Sequence, residues 1–432
     1  MEWAEVIILV ATFGFLMAMG VPISFCIGLA TIATMLITIQ TMPSVTTVAQ
    51  RMATGLDSFA LLAIPFFILS GQMMNQGGIA RRLIDFAKVV VGMLPGGLAF
   101  VNIIANMLFG SISGSAVAAA SAIGGFMNPL MNKEGYDRDY NAAVNISSAT
   151  TGLLIPPSNV LIVYSLASGG ASIAALFLAG YVPGILMGAA LMLVAGSIAV
   201  SRKYRVGTRS TMGDAVRKFL DAVPSLLLII IVMGGIVAGY FTATEASAVA
   251  VLYTFILSVV VYKEVKLRDL KGVLLSAAST TAIVMLLIAT SMGMSWILAY
   301  TNIPQNVSAA LLSLSDNPIL ILLIINIVLL LVGTFMDMTP AILIFTPIFL
   351  PVAVGLGIDP VHFGIIMVMN LCIGLCTPPV GSVLFVGCGI ADTTIARVIK
   401  PLAPMFLAMI ASLLLVTFVE DISLFVPRLF GF

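Results

Sequence analysis

The chain has 432 residues, of which 61% are hydrophobic and only 9% charged, with a mean hydropathy of +1.19. Soluble domains carry about 25% charged residues, so a soluble enzyme is excluded at the outset. Nineteen basic and 18 acidic residues nearly cancel, which leaves no stretch able to neutralise a nucleic-acid backbone, and one histidine with four cysteines gives little material for a metal site.

The composition is that of an all-α polytopic membrane protein. Glu2 and Glu5 stand where the basic region of a signal peptide would be, so no cleavable leader is expected. Apolar stretches long enough to cross a bilayer, about 20 residues each, fall near 6–39, 58–74, 141–168, 173–200, 219–238, 244–262, 273–298, 361–390 and 402–427. Two further apolar stretches, 98–130 and 318–350, must behave differently, as the charge map shows. Cys26, Cys372, Cys376 and Cys388 all lie in apolar runs and read as small core residues, and the 25 methionines read as filler.

Arg202, Lys203, Arg205, Arg209, Arg217 and Lys218 form one basic group, and Lys263, Lys266, Arg268 and Lys271 form another. Two spans separate them, so both face one side, which the positive-inside rule makes cytoplasmic. Threading outward from there also places Arg81, Arg82, Lys88, Lys133, Arg138, Arg397 and Lys400 inside; only Arg51 and Arg428 of the 19 basic residues fall outside. The threading closes only if 98–130 and 318–350 each enter and leave on one side. Both are therefore expected to be re-entrant hairpins.

Shifting the chain against itself by 222 positions pairs Pro129 with Pro351, Gly135 with Gly357, Asp137 with Asp359, Gly152–Leu153 with Gly374–Leu375, and Pro156–Pro157 with Pro378–Pro379. Most of these identities are Pro and Gly, the residues that set backbone geometry. Residues 1–200 and 219–432 then read as two repeats joined by a basic cytoplasmic loop, 201–218. Each contains a hairpin followed by a broken span, 141–168 in the first and 361–390 in the second. Five spans separate the hairpins, so the repeats are inverted, the pattern of a secondary transporter with its site near the midplane.

Hairpin 1 carries Gly110-Ser111-Ile112-Ser113-Gly114-Ser115, whose hydroxyls and glycines suit either an exposed ligand-binding tip or a tight packing seam. The first broken span carries Thr150-Thr151-Gly152 and Ile155-Pro156-Pro157-Ser158-Asn159, where freed carbonyls lie beside oxygen-bearing side chains; a plain proline kink is the alternative. Hairpin 2 carries Gly333-Thr334-Phe335-Met336-Asp337-Met338-Thr339-Pro340, and Asp337 is the only charge in the 42 residues between Asp316 and Asp359. An intramembrane carboxylate points to a sodium ligand or proton carrier, or to a helix cap. Thr377, Pro379 and Gly381 flank the second break. Glu245 after Thr242 reads as a helix cap, and His362 as an interfacial residue. An intramembrane protease is disfavoured: the serines have no histidine in their half of the chain, and Asp337 has no second intramembrane Asp.

The segments Leu62–Phe67, Ser111–Val117, Gly152–Pro157, Gly239–Ala250 and Gly333–Pro347, with its Phe-Met-Asp-Met-Thr-Pro core, resemble the large membrane subunit (the DctM-like or M subunit) of tripartite ATP-independent periplasmic (TRAP) transporters along essentially the whole chain. Departures are Ala243, where the family often has Pro, and Ala118–Ala120, where it often has an acid. The resemblance implies an elevator-type, sodium-driven importer of an organic carboxylate in a bacterial inner membrane. It also implies a periplasmic binding protein and a four-helix small membrane subunit as a separate chain. Carried over residue by residue, one sodium site joins Ser111, Ser113 and Ser115 to Gly152, Pro156, Ser158 and Asn159. The other joins Gly333, Thr334 and Asp337 to Thr377 and Gly381. Substrate falls between them, near Ser115, Thr151, Asn159, Thr339 and Pro379. The segment Ile155–Tyr181 is most similar to members that carry sialic acid, which favours a sugar acid. A self-contained sodium/carboxylate symporter, working as a homodimer without a binding protein, is the competing reading.

Overall fold

The computed structural model describes residues 2–204, 211–314, 317–378 and 380–432, so Arg205, Arg209 and Pro379 lie outside the described residues. The stretch 6–39 is two helices, not one crossing. Helix α1 (Glu2–Ala18) ends at Gly20, which takes a left-handed φ of +78°, and α2 (Ile23–Thr38) starts after Pro22. The Thr38 hydroxyl donates to Glu5 Oε1 at 3.3 Å, which brings the two outer ends together. Helix α3 (Thr41–Leu56) then packs along α13 (Leu270–Tyr300).

Helix α4 (Ala63–Gln76) and the amphipathic α5 (Ile79–Val91) lead into the first hairpin. Its arms are α6 (Gly97–Ser113) and α7 (Ala116–Lys133), which reverse at Gly114 with φ +63°. The broken span follows as α8 (Arg138–Ala149), a tight turn at Thr151–Leu153, a non-helical link and α9 (Asn159–Ala167). Helices α10 (Ile173–Ser201), α11 (Met212–Val237) and α12 (Ala243–Phe255) come next, with a π-helical turn at Ile256–Val261 before α13. After α14 (Ile303–Leu314), the second hairpin is α15 (Pro318–Phe335) and α16 (Met338–Gly355). The second broken span is α17 (Pro360–Gly374), an irregular link and α18 (Ser382–Ala391). The last expected span, 402–427, is displaced. Helix α19 (Ile395–Phe418) runs through Pro401 and Pro404, breaks at Val419, and α20 (Asp421–Leu429) closes the chain. Among the described residues, eight helices are long and apolar enough to cross a membrane.

Loops threaded to the cytoplasmic side touch one another. Arg82 lies 3.7 Å from Glu264, Arg202 3.7 Å from Asp137, and Arg138 3.3 Å from Asp392. Tyr136 stacks on Tyr204 at 4.3 Å. Hairpin 1 has both feet at this basic end: Gly96 sits against Ala199, and Asn128 donates to the Ile390 carbonyl at 3.1 Å. The core is the layer formed by the two broken spans. All of α17 from His362 to Gly374 is buried, and α8 is buried from Tyr140 to Ala149. The two broken spans meet where Cys376 Sγ approaches the Ile146 carbonyl at 3.2 Å and Tyr164 donates to the Pro360 carbonyl at 2.6 Å. All four cysteines are buried.

His362, at the start of α17, is covered by protein. It is 3% exposed, and Nδ1 lies 2.6 Å from Ser423 Oγ, because α20 folds back over the start of α17. Glu245 does cap α12: its carboxylate accepts from the Thr242 backbone at 2.8 Å, and its own N–H donates to the Thr242 hydroxyl at 3.3 Å.

Candidate functional site

Each hairpin crosses its broken span through a pair of glycines. A Cβ added to Gly152 would stand 2.5 Å from Gly110 Cα, and one added to Gly374 would stand 2.5 Å from Gly333 Cα. Only residues without a side chain let backbones approach this closely. Buried amides stitch each crossing. Asn106 Nδ2 donates to Asn102 Oδ1 (2.7 Å), Asn145 Oδ1 (3.1 Å) and Ser148 Oγ (2.9 Å), while Asn370 Nδ2 donates to Asn326 Oδ1 at 2.6 Å. The turns that enter the two broken spans also agree. Gly135 and Gly357 have φ of +83° and +81°, and Asp137 and Asp359 cap α8 and α17 with accepted backbone bonds.

The crossings bring both hairpin tips to one cavity of about 340 Å³. Tip 1 contributes Ser113, Gly114 and Ser115, tip 2 contributes Asp337 and Thr339, and the first broken span contributes Asn159. Ser115 caps α7 by accepting from Ala118 N at 3.2 Å. Asp337 occupies the corresponding position on α16, but its carboxylate makes no capping hydrogen bond and faces the cavity. Beside tip 1, Ser158 is fully buried, and neither its Oγ nor Asn159 Oδ1 has a hydrogen-bond partner among the described residues. A buried oxygen without a donor is costly unless something else satisfies it.

Other expected site residues stand outside this cavity. The Ser111 and Thr151 hydroxyls are buried and donate to Leu108 and Ser148 carbonyls, and Gly152 and Pro156 are buried beneath the tip. Thr334 donates to the Leu331 carbonyl, and Thr377 donates to the Ile373 carbonyl while lining a separate apolar crevice with Pro378 and Phe406. Gly381 fits because a Cβ there would meet the Leu375 carbonyl oxygen at 2.5 Å. Sequence reasoning missed the other wall. Gln72 and Asn75 of α4 and Thr280 of α13 also line the cavity. The spacing of Gln72 and Asn75, three apart on a helical face at the end of an apolar span, was the available signal.

Residues 10–422 match the model of the tripartite ATP-independent periplasmic transporter, DctM component. The chain belongs to this family. It is 55% identical over 426 residues to the uncharacterized protein YgiK of Salmonella typhimurium (99% of this chain, 98% of that one). It is 40% identical to the C4-dicarboxylate TRAP transporter large permease DctM of Rhodobacter capsulatus (97% and 98%) and 38% identical to the sialic acid TRAP transporter large permease SiaM of Vibrio cholerae (95% and 96%). An isethionate TRAP permease named DctMQ, from Oleidesulfovibrio alaskensis, is 40% identical over 97% of this chain, which covers 66% of it. Among solved structures, the Alcanivorax borkumensis YdaH transporter superposes with a TM-score of 0.63 at 14% identity over 86% of each chain, a likeness of fold. The DctM-family chain is thus a multi-pass inner-membrane transport subunit and not an enzyme.

Proposed function

We propose that the chain couples sodium entry to uptake of an organic carboxylate delivered by a periplasmic binding protein, with a sugar acid such as sialic acid as the favoured cargo. The carrying observation is the single cavity where both hairpin tips meet beside unpartnered, buried oxygens. Neutral oxygens and helix termini at membrane depth suit a hard monovalent cation. Ser158 Oγ and Asn159 Oδ1, with carbonyls freed near Pro156 and Gly152 and the hydroxyls of Ser111, Ser113 and Ser115, fit a first sodium site. Asp337, with Gly333, Thr334, Thr377 and Gly381, fits a second. The carboxylate cargo lies between them against Ser115, Asn159 and Thr339, with Thr151 behind.

The paired glycine crossings and matched entry turns support two inverted repeats. The hairpins and broken spans move as one elevator body against α4, α11, α12 and α13. TRAP assemblies are tripartite. For this chain the small subunit is a separate polypeptide; the name of the DctMQ relative speaks for a fused arrangement there.

The reading is tested in liposomes under an imposed sodium gradient. Uptake of labelled sialic acid, with succinate in parallel, should require sodium, the binding protein and the small subunit together. Uptake by this chain alone, indifferent to both partners, overturns the tripartite reading in favour of a self-contained symporter.

A further inference from the structure

The cavity has two walls of different kind. One is the mobile body of the proposed elevator, with the hairpin tips and Asn159. The other is scaffold: Gln72 and Asn75 on α4 and Thr280 on α13. Asn75 is one residue from the end of α4, just before Gly77–Gly78, and a Cβ on Gly78 would meet Arg82 and Glu264 of the basic end. Thr280 lies ten residues into α13, about 15 Å from its basic-end start at 1.5 Å per residue. The amide wall therefore stands on the cytoplasmic half of the cavity. Neither the Gln72 nor the Asn75 side chain has a hydrogen-bond partner among the described residues, so both amides are available to a ligand. Gly71 beside them is the point where tip 1 docks: a Cβ there would stand 2.8 Å from the Ser113 carbonyl oxygen.

We infer that Gln72 and Asn75 bind the hydroxyl-bearing tail of a hydroxylated monocarboxylate, and do so only when the elevator body stands in this cytoplasm-facing position. The wall offers donors and acceptors together, which matches hydroxyls. Among the described residues no Lys or Arg lines the cavity to meet a second carboxylate, and the Asp337 carboxyl group disfavours one. Scaffold residues do not travel with the body, so their contacts are broken when it moves outward. They tune the release side and leave the hand-over side untouched. This inference rests on the transport reading above.

The test uses the purified full chain, with its small subunit where it co-purifies, and the probes N-acetylneuraminate, gluconate and succinate in sodium against potassium buffer. Wild-type protein should bind the two hydroxylated acids in sodium and bind succinate more weakly. Gln72→Leu with Asn75→Leu should weaken the hydroxylated acids by about tenfold, the loss expected for hydrogen bonds to a bound polar group. Succinate binding and the sodium-induced rise in Tm should stay as in wild type, which also shows that the variant folds. Separately, an Asn75→Cys variant should react with an impermeant maleimide in inside-out but not right-side-out vesicles, more slowly with sodium and gluconate. Unchanged affinity in the double variant, or labelling from the outside, overturns the inference alone. A sodium response with tight binding of succinate only leaves the transport reading standing and sinks this one. Absence of both sodium response and acid binding sinks both.

Discussion

The two hairpin regions share a backbone plan and differ in chemistry. In both, a glycine in the hairpin's first arm crosses a glycine in the broken span, and a buried asparagine stitches the crossing. At tip 1 the cap is a neutral serine that satisfies a backbone N–H, and the adjoining span leaves Ser158 and Asn159 oxygens unpartnered. At tip 2 the cap position holds Asp337, whose carboxylate turns to the cavity, while Thr377 in the adjoining span spends its hydroxyl on its own helix. One plan thus carries two kinds of polar chemistry: unpartnered neutral oxygens at the first, a carboxyl group at the second. Geometry is set by residues lacking side chains, and chemistry by the few polar ones beside them.

The equivalence of the crossings is broken most forcefully by adding atoms. Gly152→Val and Gly374→Val should each cost about 3 kcal/mol or more through backbone overpacking, read as a large fall in detergent Tm. Tolerance of one and not the other would show that the crossings differ in tightness. Asp337→Asn preserves volume and removes charge; sodium-dependent uptake should fall by roughly a hundredfold, and a wild-type sodium response would end its assignment as a ligand. Asn106→Leu strips one donor from three acceptors and should cost about 3 kcal/mol, against about 2 kcal/mol for Asn370→Leu, where Asn326 keeps its bond to Thr417. The smallest and sharpest effect is Ser158→Ala. Stability without sodium should move by less than about 0.5 kcal/mol, since the hydroxyl has no partner to lose, while the sodium-induced rise in Tm should shrink.

Much of this was legible in the sequence because membrane depth makes Gly, Pro and charge rare and therefore informative. The tips at Ser113–Ser115 and Asp337, the breaks near Gly152 and Gly374, and the Thr242–Glu245 cap were readable from local composition. What escaped depends on three-dimensional neighbours. Hydropathy merges α1 and α2, because Gly20 and Pro22 are both common in membrane helices and only their combination stops one. The burial of His362 against Ser423 depends on α20 folding back over it. The crossings of Gly110 with Gly152 and of Gly333 with Gly374 require knowing which helices meet. The Gln72–Asn75 wall belongs to a span that reads as ordinary scaffold, and its significance comes from what faces it.

The meeting of the two broken spans bears on how the molecule is made. Cys376 reaches Ile146 across 230 residues, and Asn128 reaches Ile390 across 262. At ribosomal rates of about 5–20 residues per second, hairpin 1 leaves the insertion machinery roughly 10–50 s before its partners are synthesised. Through that interval the Asn128 amide, whose carbonyl partner lies in α18, must be held by water, lipid headgroups or an insertase. Assembly of this transporter therefore waits on its last third, and truncations ahead of α17 should be recognised by quality-control proteases as unfinished, however complete their first hairpin.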